Sequence, residues 1–270
     1  MNRITALLGI FLLSVQVNAQ ILWYTHLEKG QAAGASNGKL IVIDFWASWC
    51  SPCVTMDRQL WSVEEMKGLA DRFVAVRIDV DVDKKTAFHY NAKAIPKVVI
   101  TNAKGEILWE KTGFSSAEEY LRIFRSFPAD VSLLYSLLEN AENQSTDFRA
   151  QIDAAAEFQR LAGSISAVTL KNAFLNQSAV WFRKASKLAS AAKDKEEIEL
   201  YLVLNDLYRG NAQKALRNYE KNFSTATNGE NSDLAHFVLA SCYKDLKDDA
   251  KFNEYKVSIT NGKFLERLNQ

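Results

Sequence analysis

The stretch that most constrains the fold is residues 41–53, IVIDFWASWCSPC. A nearly unbroken run of β-branched and aromatic residues ends in two cysteines that are separated only by serine and proline. Such an apolar run predicts a buried strand, and Pro52 is typical of the first turn of a helix. The sequence therefore predicts a central strand leading directly into a helix, with Cys50 at the amino end of that helix and Cys53 one turn further along.

The amino-terminal segment predicts export. Residues 1–19 hold one basic residue, Arg3, then an apolar stretch from about Ile4 to Val15, then the small-residue pattern Val-Asn-Ala. This order is typical of a cleaved secretory signal; the alternative, an uncleaved membrane anchor, is disfavoured because the apolar core is shorter than the roughly 20 residues that span a bilayer. We expect a periplasmic or secreted protein. The full chain has 33 basic and 32 acidic residues, and cleavage of the signal would remove Arg3 and leave a formal net charge of zero. A neutral chain argues against a nucleic-acid partner.

The chain divides into two halves at about residue 128. In residues 20–128, compact apolar runs alternate with helical patterns, which predicts an α/β domain with a central mixed sheet flanked by helices. Ser62 and Glu65 are spaced as a capping box. The expected strands lie near residues 39–48, 72–81, 97–102 and 107–109, and the last two are joined by a turn at Lys104-Gly105. Three helices are expected: one that starts at the cysteine pair, one at about 62–70 and one at 116–125.

Residues 129–270 show only helical periodicity, which predicts an all-α domain of antiparallel helix pairs. A weak repeat with a period of 35 residues favours tetratricopeptide-like pairs, although an irregular helical bundle is an alternative. The repeated residues are Leu204, Tyr208 and Ala215, followed by Leu239, Tyr243 and Ala250.

The spacing of the cysteines predicts thiol chemistry. Unpaired amides at a helix amino terminus favour a thiolate at Cys50, and Cys53 on the same helical face can attack a mixed disulfide formed there. Asp44 is the candidate proton acceptor for Cys53, because burial in an apolar strand should raise its pKa. An ion pair between Asp44 and Arg77 on the next strand is a compatible alternative.

Two other uses of the cysteines are disfavoured. A disulfide that closes so short a loop removes little chain entropy, so Cys50 and Cys53 are not expected to be a structural staple. A zinc site needs further ligands at suitable spacing. The remaining candidates do not form such a pair: they are His26, His89, His236 and Cys242. We expect no metal and no cofactor beyond a redox-active Cys50–Cys53 disulfide.

These motifs together resemble the thioredoxin family. The matching features are DFWASWCSPC at residues 44–53, Ala94-Ile95-Pro96 before a strand, and the hairpin at Gly105. The broken helix after the pair is similar to exported thioredoxin-like domains related to the C-terminal domain of the bacterial membrane thiol:disulfide interchange protein.

The resemblance implies a role for each matching residue. Cys50 would be the exposed nucleophile, Cys53 the buried resolving thiol and Asp44 the buried acid. Pro96 would be cis, so that the backbone of Ile95 can bind a substrate chain. Trp49 would flank the nucleophile as part of the docking surface, although composition alone favours a core tryptophan equally.

Some positions depart from the family pattern or have no assigned role. Lys97 stands where a small or polar residue is usual; a solvated lysine at a strand end is the expectation, and a lysine directed at the cysteines the alternative. Val54 stands where a lysine is frequent. Cys242 is expected to be a core residue rather than a third redox thiol.

The sequence thus predicts a secreted thiol:disulfide oxidoreductase that acts on disulfides of exported proteins or peptides. Ser51-Pro52 between the cysteines favours a reductant, which would need electrons from a membrane donor. The helical half would bind a protein partner or self-associate. The alternative is an adaptor in which the helices bind partners and the α/β half is a docking platform.

Overall fold

The computed structural model describes residues 20–223 and 226–269. The predicted signal segment, residues 1–19, lies outside the described residues. Within the part that is described, no helix combines the length and the apolar character needed to cross a bilayer.

A five-stranded mixed sheet forms the centre of the first half. Strand β2 lies in the middle, parallel to β3 and antiparallel to β4, and the strand order is β1-β3-β2-β4-β5. The mixed sheet was predicted, although the short β1 was not. The strands are β1 (Trp23–Tyr24), β2 (Leu40–Trp46), β3 (Phe73–Asp79), β4 (Lys97–Thr101) and β5 (Ile107–Thr112).

Five α-helices flank the sheet, and one local prediction about them was wrong. Ser62 and Glu65 form no capping box: the helix starts at Glu64, and the cap residue Val63 makes no side-chain bond. Glu65 instead accepts a 2.6 Å bond from Arg125 Nε, so a tertiary contact takes the side chain away from the cap. The helices are α1 (Leu27–Asn37), α2 (Ser51–Met56), α3 (Glu64–Gly68), α4 (Lys84–His89) and α5 (Ala117–Arg125), with a π-helical segment at Asp57–Trp61 and a 3₁₀ turn at Ala70–Arg72.

The second half is helical throughout its described residues, as predicted. Each helix from α6 to α11 packs against the next one in the chain. The two repeat units coincide with α9–α10 and α11–α12, but Ala215 is buried whereas Ala250 is exposed. The helices are α6 (Ser132–Asn143), α7 (Phe148–Ser164), α8 (Val168–Ser186), α9 (Ala192–Tyr208), α10 (Ala212–Asn222), α11 (Ser232–Asp245), α12 (Asp249–Lys256) and α13 (Gly262–Asn269), with a 3₁₀ turn at Ala226–Asn228.

The two halves share a hydrophobic core. Buried side chains run continuously from Leu40 and Val42 in β2 to the last helix. Two bonds tie the start of α6 to the turn before β2: the Val131 amide donates to the Gly38 carbonyl at 2.7 Å, and the Tyr135 hydroxyl donates to the Lys39 carbonyl at 2.8 Å. The predicted boundary at residue 128 falls between α5 and α6, but the core crosses it.

Candidate redox site

The cysteine pair lies just beyond the carboxyl end of β2. Cys50 is the cap residue of α2, and its Sγ accepts a 3.2 Å hydrogen bond from the Cys53 amide. The two cysteines form a disulfide, and only 4% and 5% of their surfaces are exposed. Cys53 is buried as the resemblance implied, but Cys50 is not the exposed residue that it implied, because Ala47 and Ile95 pack around the disulfide. The helix amide that bonds Sγ in the disulfide can also stabilise a thiolate on Cys50 after reduction.

The proline segment lies against this pair. The Ile95–Pro96 peptide bond is cis, as the resemblance implied. Ile95 packs against the small cluster that Ala47 forms with the two cysteines. The Gly113 amide donates to the Pro96 carbonyl at 2.7 Å, which fixes this segment to the end of β5. The backbone beside the disulfide is therefore held in a defined position.

Asp44 lies on the face of β2 that carries the redox helix. Side chains alternate along a strand, so Asp44 points to the same side as Leu40 and Val42, which pack with Met56 of α2 in the shared core. Its surface is only 2% exposed. Burial raises the pKa of Asp44 from its ordinary value of 3.8 to about 6, against the opposing effect of Arg77. A carboxyl group in this range can exchange a proton near neutral pH.

Arg77 connects Asp44 to a second carboxylate that sequence reasoning missed. Its Nε donates to Asp44 Oδ2 at 3.1 Å, and one terminal nitrogen donates to Asp57 Oδ1 at 2.7 Å. The Trp23 ring covers the guanidinium, with a distance of 4.3 Å between the guanidinium carbon and the ring centroid. The predicted ion pair and the raised pKa therefore coexist. The roles of Trp23 and Asp57 could not be found from local pattern, because β1 and the π-helical segment bring them to Arg77.

Trp49 lies on the surface beside the disulfide. Its side chain is 68% exposed, so the alternative of a core tryptophan is wrong. The indole N–H donates to Asp81 Oδ2 at 2.7 Å, which holds the ring against the loop after β3. Asp81, which sequence reasoning also missed, sits next to Val82, an apolar residue that is 83% exposed. The residue next to Cys50 is therefore an exposed indole held in a fixed orientation.

Lys97 contradicts the expectation of a solvated side chain. It is only 4% exposed, and its Nζ donates to the Tyr90 carbonyl at 2.7 Å and pairs with Glu110 at 2.8 Å. Lys97 lies opposite Phe45 in β2, one position from the pair formed by Asp44 and Val98. Its side chain therefore points to the face away from Asp44. Lys97 ties α4 to β5 and is not directed at the cysteines.

Cys242 and the histidines add no redox or metal group to this site. Cys242 is buried in α11, and burial raises the pKa of its thiol to about 12, which fits the predicted core residue. Among residues 20–223 and 226–269, histidine, cysteine, aspartate and glutamate form no cluster of three that could hold a metal ion. The chemistry available at the site is that of the disulfide and the groups around it.

A disulfide between cysteines separated by two residues, at the end of a central strand and next to a cis-proline on a five-stranded mixed sheet, defines a thioredoxin-like oxidoreductase. Residues 22–103 match the family described as thioredoxin-like. Thioredoxin of Bacillus subtilis is 33% identical over 91 residues, which cover 34% of this chain and 84% of that protein. The chain belongs to the thioredoxin family.

Two further proteins are similar to the chain. Thioredoxin of Listeria monocytogenes is 30% identical over 88 residues, which cover 33% of this chain and 82% of that protein. A solved structure named DsbH oxidoreductase is 19% identical, with a TM-score of 0.36, and the match covers 42% of this chain and 89% of that one.

Proposed function

We propose that this protein is a periplasmic or secreted thiol:disulfide oxidoreductase that reduces disulfides in exported proteins or peptides. The observation that carries the proposal is the contact between Ile95, beside cis-Pro96, and the Cys50–Cys53 disulfide. This contact places a backbone edge suited to an extended substrate next to the reactive sulfurs. Export is supported by the signal-like segment at residues 1–19 alone.

The reaction starts from the reduced protein. The Cys50 thiolate attacks a sulfur of the substrate disulfide, forming a mixed disulfide and releasing one substrate thiolate, which takes up a proton from water. Cys53 then transfers its proton to the Asp44 carboxylate, and the Cys53 thiolate attacks Cys50 Sγ. The bond between Cys50 and the substrate breaks, and its electron pair leaves with the second substrate sulfur. The proton held on Asp44 then passes through solvent to that sulfur, which returns Asp44 to its ionised form. The substrate gains two electrons and two protons, and the protein holds the observed disulfide.

Surface residues around the disulfide would bind the substrate. The exposed indole of Trp49, fixed by Asp81, offers an apolar contact at the rim. Ile95 and Pro96 would bind the chain on the other side of the cysteines. Renewed reduction of the disulfide requires an upstream electron donor, which for an exported protein would be a membrane thiol carrier.

The test is reduction of insulin with dithiothreitol as electron donor, comparing wild type with Cys50→Ser and Cys53→Ser. We expect acceleration by wild type and loss of it in both variants, with the Cys50→Ser variant unable to form a mixed disulfide. A wild type that is no faster than the variants would exclude the reductase. The reduction potential gives the direction: a value near −270 mV, about that of thioredoxin, supports a reductant, and about −120 mV supports an oxidant.

A second candidate is an adaptor whose helices bind a protein partner or a second copy of the chain. It is favoured by the size of the helical half, from α6 to α13, and by the correspondence of α9–α10 with α11–α12 as tetratricopeptide-like units. Partner capture by full-length protein separates the two candidates. Capture that survives Cys50→Ser favours the adaptor, whereas capture that depends on Cys50 favours the enzyme.

A further inference from the structure

Two carboxylates share the one guanidinium at the redox site. Arg77 donates through Nε to Asp44 at 3.1 Å and through a terminal nitrogen to Asp57 at 2.7 Å. The shorter contact goes to the outer acid, Asp57, whose side chain is 46% exposed, while that of Asp44 is 4% exposed. The positive charge of Arg77 is therefore shared between the buried carboxylate of Asp44 and the more exposed carboxylate of Asp57.

The surroundings keep Arg77 in this bridging position. Trp23 covers the guanidinium at 4.3 Å and packs edge-on against Trp61 at 5.1 Å between ring centroids. The Trp46 ring lies 5.5 Å from the guanidinium carbon. Aromatic rings over a guanidinium restrain its plane without neutralising its charge. Arg77 is thus fixed between an inner and an outer carboxylate.

Few other charged or titratable groups face Asp44. The π-helical segment contributes Asp57 and the buried indole N–H of Trp61, which meets no acceptor at hydrogen-bond distance among the described residues but still lowers the pKa of Asp44. From α5, the Tyr120 hydroxyl donates to the Gly113 carbonyl at 2.6 Å, and burial raises the pKa of Tyr120 so that it stays neutral. On β4 the residue opposite Asp44 is the apolar Val98. The charges that act on Asp44 are therefore those of Arg77 and Asp57.

We infer that Asp57 is a positioning residue of the redox site, which binds the outer nitrogen of Arg77 and so keeps Asp44 able to take up a proton. If Arg77 were paired with Asp44 alone, the ionised form of Asp44 would be stabilised and would be a weaker base for Cys53. Asp57 opposes this, because its negative charge cancels part of the guanidinium charge. The benefit to Cys53 rests on the proposed function, whereas the electrostatic coupling between Asp57 and Asp44 is independent of it.

The coupling is tested by following the carboxyl carbon of Asp44 with pH by NMR in the oxidised full-length protein. Asp57→Asn keeps an oxygen that can accept from Arg77 but removes the charge, and we expect the Asp44 midpoint to fall by about one pH unit. Asp57→Glu restores the charge and should return the midpoint towards wild type. Asp71→Asn, which removes an exposed acid on the turn before β3, is the matched control and should leave it unchanged.

A midpoint in Asp57→Asn that rises, or that stays within about 0.2 of wild type, would overturn the inference. So would an equal shift in Asp71→Asn. The titration is independent of turnover: a protein that reduces no insulin but shows the expected shift would refute the proposed function and leave the coupling standing. In an active protein, the pH dependence of insulin reduction should shift in the same direction as the Asp44 midpoint.

Discussion

Replacing Asp44 by asparagine should stabilise the protein, and the gain should depend on pH. Asp44 is buried in β2, and its pKa is raised from 3.8 to about 6. Below pH 3.8 the carboxyl group is protonated in both the folded and the unfolded chain, so burial carries no ionisation penalty. As pH rises from about 4 to 6, Asp44 releases its proton in the unfolded chain before it does so in the folded chain, and the free energy of unfolding falls. Above pH 6 the penalty is constant.

The size of the penalty follows from the difference in pKa. A separation of about two units, at about 1.4 kcal/mol per unit, corresponds to roughly 3 kcal/mol at pH 8 and less than about 1 kcal/mol at pH 4. Asparagine has nearly the same shape and retains an oxygen that can accept from Arg77 Nε, but it cannot ionise. Asp44→Asn should therefore be more stable than wild type by about 3 kcal/mol at pH 8, with little difference at pH 4.

The assay is urea unfolding of both proteins at pH 4 and pH 8, with the Cys50–Cys53 disulfide intact in each. Titrating groups that do not interact with Asp44 contribute equally to both proteins, so their effects cancel in the comparison. A stability difference that is the same at both pH values, or an Asp44→Asn protein that is less stable at pH 8, would refute the ionisation argument. The same variant should resolve mixed disulfides more slowly, because Cys53 loses its proposed proton acceptor.

Two further predictions concern the contacts that join parts of the fold. Lys97→Met should lower the free energy of unfolding by about 2 kcal/mol, because the buried carbonyl of Tyr90 loses its donor; unchanged urea unfolding would mean that Lys97 adds nothing to stability. Tyr135→Phe should lower it by about 1 kcal/mol, because the Lys39 carbonyl loses the hydroxyl that links α6 to the turn before β2. Wild-type stability in Tyr135→Phe would show that this hydroxyl adds nothing to the junction between the two halves.

Most of the sheet could be predicted from local pattern. The sequence marks β2 and β4 by β-branched runs and β3 by an alternation of apolar and polar residues. It marks β5 as the returning strand of a hairpin with its turn at Lys104-Gly105. The two-residue β1 has no such pattern, because its pairing with β3 and not its own composition makes it a strand. The prediction of a capping box at Ser62 and Glu65 was wrong because a long-range contact again decides the local structure: Arg125, sixty residues away, binds the glutamate.

The sequence by itself determined the reactive pair, its position at a helix start and the buried acid before it, because these depend on spacing within one strand and the helix that follows. The tertiary structure decided which groups act on that acid. Asp57 and Trp23 reach Arg77 only after the π-helical segment and β1 have packed beside β3. The tertiary structure also decided that Lys97 is buried, because the Tyr90 carbonyl accepts a hydrogen bond from its amine and Glu110 forms an ion pair with it. Charge interactions depend on distance in space, which spacing along the chain does not specify.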